Sequence, residues 1–194
     1  MSVPYTSIEE VCLDRNHVLL DSNVFMRHER ASNIPLLEYV HELIDAGFPI
    51  YITEAVREEI TPTYSKKFFN PIKSKLKHEI PRAQAEYHLR KKLIRRFDEE
   101  GHVLVTEHVP YHNGRLRTFA TEKNLAHTDY ELLRFSLALS KQGQKTAVIT
   151  YDKGIHEAAR HVTGAPGLCF SYQITDGGKI MVPFYIPATK RAVG

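Results

Sequence analysis

The chain has only two cysteines, Cys12 and Cys169, far apart and without a Cys-x-x-Cys spacing. Neither a disulfide framework nor a four-cysteine zinc site can be assembled from them, so a reduced, cytoplasmic protein is expected. No apolar run approaches the roughly 20 residues that a membrane helix needs. Residues 1–20 lack the charged-then-apolar build of a secretory signal, and no membrane association is expected. Internal repeats and low-complexity stretches are missing too. So is any Gly-x-x-x-x-Gly-Lys-Ser/Thr loop, which argues against nucleotide hydrolysis by a phosphate-binding loop. His108 and His112 have a spacing compatible with zinc but no cysteine nearby, and read as a loop. What remains is an ordinary globular mixture of 194 residues, 42% apolar and 25% charged, enough for a single domain over 1–194.

Net charge is also scarce, at +3, but its distribution is uneven. Between Lys66 and Phe97 stand eleven basic residues against two acids, Glu79 and Glu86. The rest of the chain holds 15 basic and 21 acidic residues, so an acidic body carries a basic block in its middle. Such a block can neutralise phosphates and release counterions, giving sequence-tolerant, salt-sensitive nucleic-acid binding. The plainer reading is a solvated helix face, which most charge runs are. Lys73, Lys75, Lys77, Arg90, Lys91, Lys92, Arg95 and Arg96 are the candidate RNA contacts, within a helical insertion at about 61–100.

Periodicity predicts alternating strands and helices. His17–Leu20, 48–52, 102–106, Thr146–Thr150 and 168–172 read as strands. Helices are expected over 34–46 (capped by Asn33 and ended by Gly47), after Thr53, over 128–141 and after Asp152. The basic block reads as two helices broken at Pro81, the second running about 82–99, and 111–117 reads as a loop. Asp176-Gly-Gly178 signals a turn, so 179–186 reads as an edge hairpin strand or a tail. This alternation implies an α/β fold with a mostly parallel central sheet and helices on both faces.

In such sheets ligands sit beyond the carboxyl ends of the strands. Asp21 and Asp152 follow two of the strands, Glu59 lies in the helix after the second, and Asp129 starts the helix before Thr146–Thr150. Each alone reads as a turn or cap residue. Together they suit a hard divalent cation, Mg²⁺ or Mn²⁺, held by oxygen and able to activate water against a phosphodiester.

Four segments resemble the motifs of PIN-domain ribonucleases: Val18-Leu-Leu-Asp21-Ser-Asn23, Ile52-Thr-Glu-Ala-Val56-Arg-Glu-Glu59, His127-Thr-Asp129-Tyr-Glu131 and Ala147-Val-Ile-Thr150-Tyr-Asp152. The resemblance covers 18–60 and about 125–170, and leaves the basic block outside. It implies a three-layer α/β/α PIN-like fold and metal-dependent endoribonuclease activity. Asp21, Asp129 and Asp152 would be metal ligands, with Glu59 completing the acidic pocket directly or through water. Asn23 and Thr150 match positions that orient the site by hydrogen bonding. Glu131 rivals Asp129, and Glu58 rivals Glu59. As partners the resemblance implies RNA, an antitoxin or an RNA-processing protein, and a homodimer. Two other readings stay open: an inactive PIN-like RNA-binding scaffold, and a flap-type structure-specific DNA nuclease.

Overall fold

The computed structural model describes residues 7–26, 34–61, 80–105, 113–152, 154–155 and 158–159, with the backbone alone of 169–174 and 180–184. The strands are β1 (His17–Leu20), β2 (Ile50–Thr53), β3 (Val103–Leu104), β4 (Thr146–Thr150), β5 (Cys169–Ile174) and β6 (Ile180–Phe184). They form one sheet in the order β3-β2-β1-β4-β5-β6. The first five run parallel, with Val18 level with both Ile50 and Ala147, and β6 closes the edge antiparallel to β5.

The helices are α1 (Ile8–Asp14), the single turn α2 (Ser22–Phe25), α3 (Ile34–Asp45), α4 (Glu54–Ile60), α5 (Ile80–Glu99), α6 (Gly114–Lys123) and α7 (His127–Lys141). All five residues of β4 are buried. Neighbouring strand residues point to opposite faces, so both faces of the sheet are covered. Right-handed crossovers place α3 and α5 on one face and α7 on the other. The packing agrees: α3 lies on α5, while α7 lies against β2, β4 and β5. Gly47 and Gly101, at φ +78° and +71°, sit just past α3 and α5 in the left-handed region. They let the chain reverse into β2 and β3, so these helices run antiparallel to the strands they feed.

The second basic helix, expected over about 82–99, is α5, with Pro81 in its first turn, where a missing N–H leaves nothing unsatisfied, while the expected first helix lies outside the described residues. One expectation is corrected. The expected loop over 111–117 contains the start of α6, because the Asn113 side chain accepts the Leu116 N–H at 3.1 Å. Asn113-Gly114 is therefore a helix start rather than a turn. The helix α1 was not expected; Ser7 caps it at the Glu10 N–H, and Ile8, Val11 and Cys12 face the core. Asn33, His108 and His112 lie outside the described residues.

Candidate active site

The chain leaves β1 towards β2 and β3, then returns on the other side as β4, so strand order switches between β1 and β4. Asp21 is the residue after β1, and Asp152 is the second after β4. Glu59 lies in α4, which starts directly after β2, and Asp129 lies in the first turn of α7. Because α7 runs back against β4, its first turn comes to the same edge. All four acids are thus delivered to the carboxyl end of the sheet.

The hydrogen bonds around Asp21 can be oriented by elimination. The Tyr151 N–H donates to Asn23 Oδ1 at 3.1 Å, which fixes the amide and turns Nδ2 towards Thr150. Nδ2 donates to Thr150 Oγ1 at 3.0 Å, and the Asp152 N–H donates to the same oxygen at 2.9 Å. A hydroxyl has two lone pairs and one proton, so both acceptor positions are filled. Its proton must go to Asp21 Oδ2, 2.5 Å away. Asn23 and Thr150 thereby hold Asp21 as an acceptor. Ser22 Oγ lies 3.3 Å from Asp21 Oδ1 and donates to it. The carboxylate of Asp152 is held by its own turn, where Oδ1 accepts the Gly154 N–H at 2.7 Å.

Asp21 is 1% exposed. Burial pushes its carboxyl up to about 6, against the Thr150 and Ser22 hydrogen bonds and with the charges of Asp152 and Glu59 adding to the rise. Asp129 is half-buried and is pushed up to about 7 by desolvation and by the charges of Asp21, Asp152 and Glu59. The N-terminus of α7 favours the charged form by only about 0.3–1 kcal/mol, too little to offset this. No Lys or Arg forms an ion pair with any of the four acids among the described residues. Nor, among the described residues, do three His, Cys, Asp or Glu side chains close on one point tightly enough to grip a metal between them.

The rival acids are placed elsewhere. Glu131 is buried and engaged by Arg134, whose Nη2 lies 2.7 Å from Oε2, and the guanidinium also sits over the Phe135 ring. Glu58 is exposed and is not among the charges that raise Asp21 or Asp129. Three neighbours of the site had no role in the sequence reading. Ser22 and Gly154 each make one hydrogen bond there, and Thr128 Oγ1 donates to Glu59 Oε2 at 2.7 Å. Adjacency to Asp21, Asp152 and Asp129 was the only signal available for them.

The basic candidates separate. Lys73, Lys75 and Lys77 lie outside the described residues. Arg90 is 7% exposed on the core face of α5 with Leu93 and Phe97, which removes it from a phosphate-gripping surface. Arg95 pairs with Glu99 at 2.7 Å, and Arg96 bridges Asp45, also at 2.7 Å, and Glu100. Lys91 and Lys92 are exposed and have no ion pair among the described residues. Among the described residues no helix is long and apolar enough to cross a membrane. Neither a protein-family model, nor a curated protein, nor a solved structure matches the chain.

Proposed function

We propose that the chain is a PIN-like, metal-dependent endoribonuclease that hydrolyses RNA phosphodiester bonds at the carboxyl edge of its sheet. The observation that carries this reading is the group of four carboxylates, Asp21, Glu59, Asp129 and Asp152, at the switch in strand order. Two of them are held well above the ordinary carboxylate range, and no basic side chain among the described residues pairs with any of the four. An acidic group left uncompensated in this way destabilises the fold, and a divalent cation removes the repulsion.

The donor chemistry, all oxygen and all anionic, suits Mg²⁺ or Mn²⁺. Asp21, Asp129 and Asp152 would hold the ion, with Glu59 joining directly or through water. Mg²⁺ commonly takes one or two carboxylates and keeps several waters, which suits acids that do not close on a single point. When bound, such an ion activates water for attack at phosphorus and stabilises the leaving oxygen. The chain's own work is positional. Thr150 aims its proton at Asp21 Oδ2, Asn23 ties α2 to Thr150 at the end of β4, and the Gly154 N–H fixes Asp152 Oδ1. These bonds keep the acids aimed while their mutual repulsion would spread them.

Labelled RNA incubated with Mg²⁺ or Mn²⁺ should be cut internally, and EDTA should stop the cleavage. RNA binding without cleavage under any divalent ion would instead support the scaffold reading. Cleavage of a DNA flap in preference to RNA would support the structure-specific DNA nuclease.

For the RNA backbone, the described candidates are the exposed pair Lys91 and Lys92 on α5. Replacing both by Gln is expected to weaken RNA binding and to lower the slope of log affinity against log salt by about 1.4, at about 0.7 for each single-stranded phosphate contact. Arg95→Gln and Arg96→Gln should change that slope far less, because their charges are already paired. A slope unmoved by the lysine changes would take α5 out of the RNA path and leave the acidic edge untouched.

A further inference from the structure

We infer that Thr128 is a positioning residue for Glu59, setting how that carboxylate contributes to divalent-cation binding; the inference rests on the nuclease reading of the acidic edge. Glu59 is exposed on the short helix α4, in the field it shares with Asp21 and Asp129. Like charges drive a long, unanchored carboxylate outward into solvent. Holding its side chain in one rotamer costs conformational freedom. A hydrogen bond to the charged group offsets that cost.

Such a bond is present: Thr128 Oγ1 donates to Glu59 Oε2 at 2.7 Å, spanning 69 residues of sequence. It is the kind of short, charge-assisted contact that fixes a carboxylate's orientation. Its donor belongs to the turn of α7 that also carries Asp129. The spacing of Glu59 from Asp129 is therefore set through one helical turn rather than through two independent loops. The Thr128 bond takes one lone pair of Glu59 Oε2, and Oε1 accepts no hydrogen bond among the described residues. Glu59 is among the charges that raise both Asp21 and Asp129, and its neighbour Glu58 is not.

Residues that orient a metal ligand without touching the metal commonly change metal affinity by about tenfold or more when removed. The test is Mn²⁺ binding to the metal-free protein, followed by the loss of the free Mn²⁺ resonance, so that it does not depend on cleavage. Thr128→Val, close in shape but without the hydroxyl, should weaken Mn²⁺ binding about tenfold, while Thr128→Ser should bind as wild type does. Glu59→Gln should weaken binding at least as much, and the Thr128→Val/Glu59→Gln double variant no further than Glu59→Gln alone. That non-additivity is what a merely structural threonine would not produce.

Wild-type affinity in Thr128→Val, or losses that simply add in the double variant, would overturn the inference. So would a loss in Thr128→Ser equal to that in Thr128→Val. RNA cleavage by the wild type is scored separately. Thr128-dependent Mn²⁺ binding without any cleavage keeps the positioning role and removes the nuclease. Cleavage with Mn²⁺ binding indifferent to Thr128 does the reverse. A wild type that binds no Mn²⁺ overturns both.

Discussion

Asp21→Asn is expected to reduce RNA cleavage at least about a thousandfold and, at pH 8 without metal, to raise the melting temperature. The loss follows from removing the most buried of the four carboxylates. The gain in stability follows from the same burial. At pH 8 the wild-type protein must hold Asp21 ionised at 1% exposure, although its carboxyl is pushed up to about 6 from 3.8. That difference corresponds to about 3 kcal/mol against the ionised fold. Asparagine removes the charge and keeps an oxygen that can accept the Thr150 proton. Ser22 Oγ, which now donates to Oδ1, can rotate to accept from the new amide.

If about half of the 3 kcal/mol is realised, a chain of this size should melt about 3–6 °C higher. The opposite sign is expected if Asp21 serves only as the cap of α2, since removing a working cap destabilises by about 1 kcal/mol. The geometry already argues against that role, because Asp21 makes no side-chain cap hydrogen bond to α2. Calorimetry at pH 8 in EDTA, paired with the cleavage assay, decides the matter. A lower melting temperature with cleavage intact would make Asp21 a structural residue.

Much of this site could be read from the chain because its parts are local. Val18-Leu-Leu20 and Ala147-Val-Ile149 are short apolar runs buried on both faces, and each ends at an edge where a polar residue is exceptional. An acid at that point stands out, so Asp21 and Asp152 needed no tertiary information. Caps were harder. Ser7 and Asn113 look like loop residues, and only the Glu10 and Leu116 N–H groups they accept make them helix starts.

Charge was hardest of all, since a side chain's sign says nothing about its neighbours. The basic window ended at Phe97, one residue before Asp98, Glu99 and Glu100. Those acids pair with Arg57, Arg95 and Arg96, so part of the apparent excess is neutralised within the fold. Over Ile80–Glu99 six basic residues face three acids, a much weaker bias than in the original window. Arg90 is a second case: its sequence neighbours are exposed lysines, but helical geometry puts it level with Leu93 and Phe97, against the core. Glu131 is two residues from Asp129, close enough in sequence to substitute for it or supplement it. The difference is Arg134, one turn beyond Glu131, which takes up that carboxylate. Only its place beside Asp129 marks Thr128 in the sequence, because its partner is 69 residues away.

The metal-free protein is expected to lose stability as pH rises from about 5 to 8 and to recover it when Mg²⁺ or Mn²⁺ is added at pH 8. Asp21 and Asp129 are pushed up to about 6 and about 7 from an ordinary 3.8. A carboxyl raised by folding favours the protonated folded state. Its contribution is complete below about pH 4 and is lost as pH climbs through 6 and 7. The two acids feel each other, so the loss will follow the titration of the pair rather than two separate steps.

His17 works in the other direction. Burial holds its imidazole below 6.5, so its contribution is present above that value and is lost as pH falls. One imidazole opposes two carboxyls over the same range, so in EDTA it softens the fall with rising pH without reversing it.

A divalent ion binds the ionised acids and offsets that fall. At a hundred times its dissociation constant it adds about 2.7 kcal/mol, or about 5–10 °C here. The increment should shrink towards zero at pH 5, where protons occupy the acids, and it should be small in Asp21→Asn. A melting temperature flat from pH 5 to 8 in EDTA would show that the four carboxylates do not strain the fold. An equal rise with Mn²⁺ in Asp21→Asn would show that the ion binds somewhere else. Either result would remove the physical basis for placing a metal at the switch between β1 and β4.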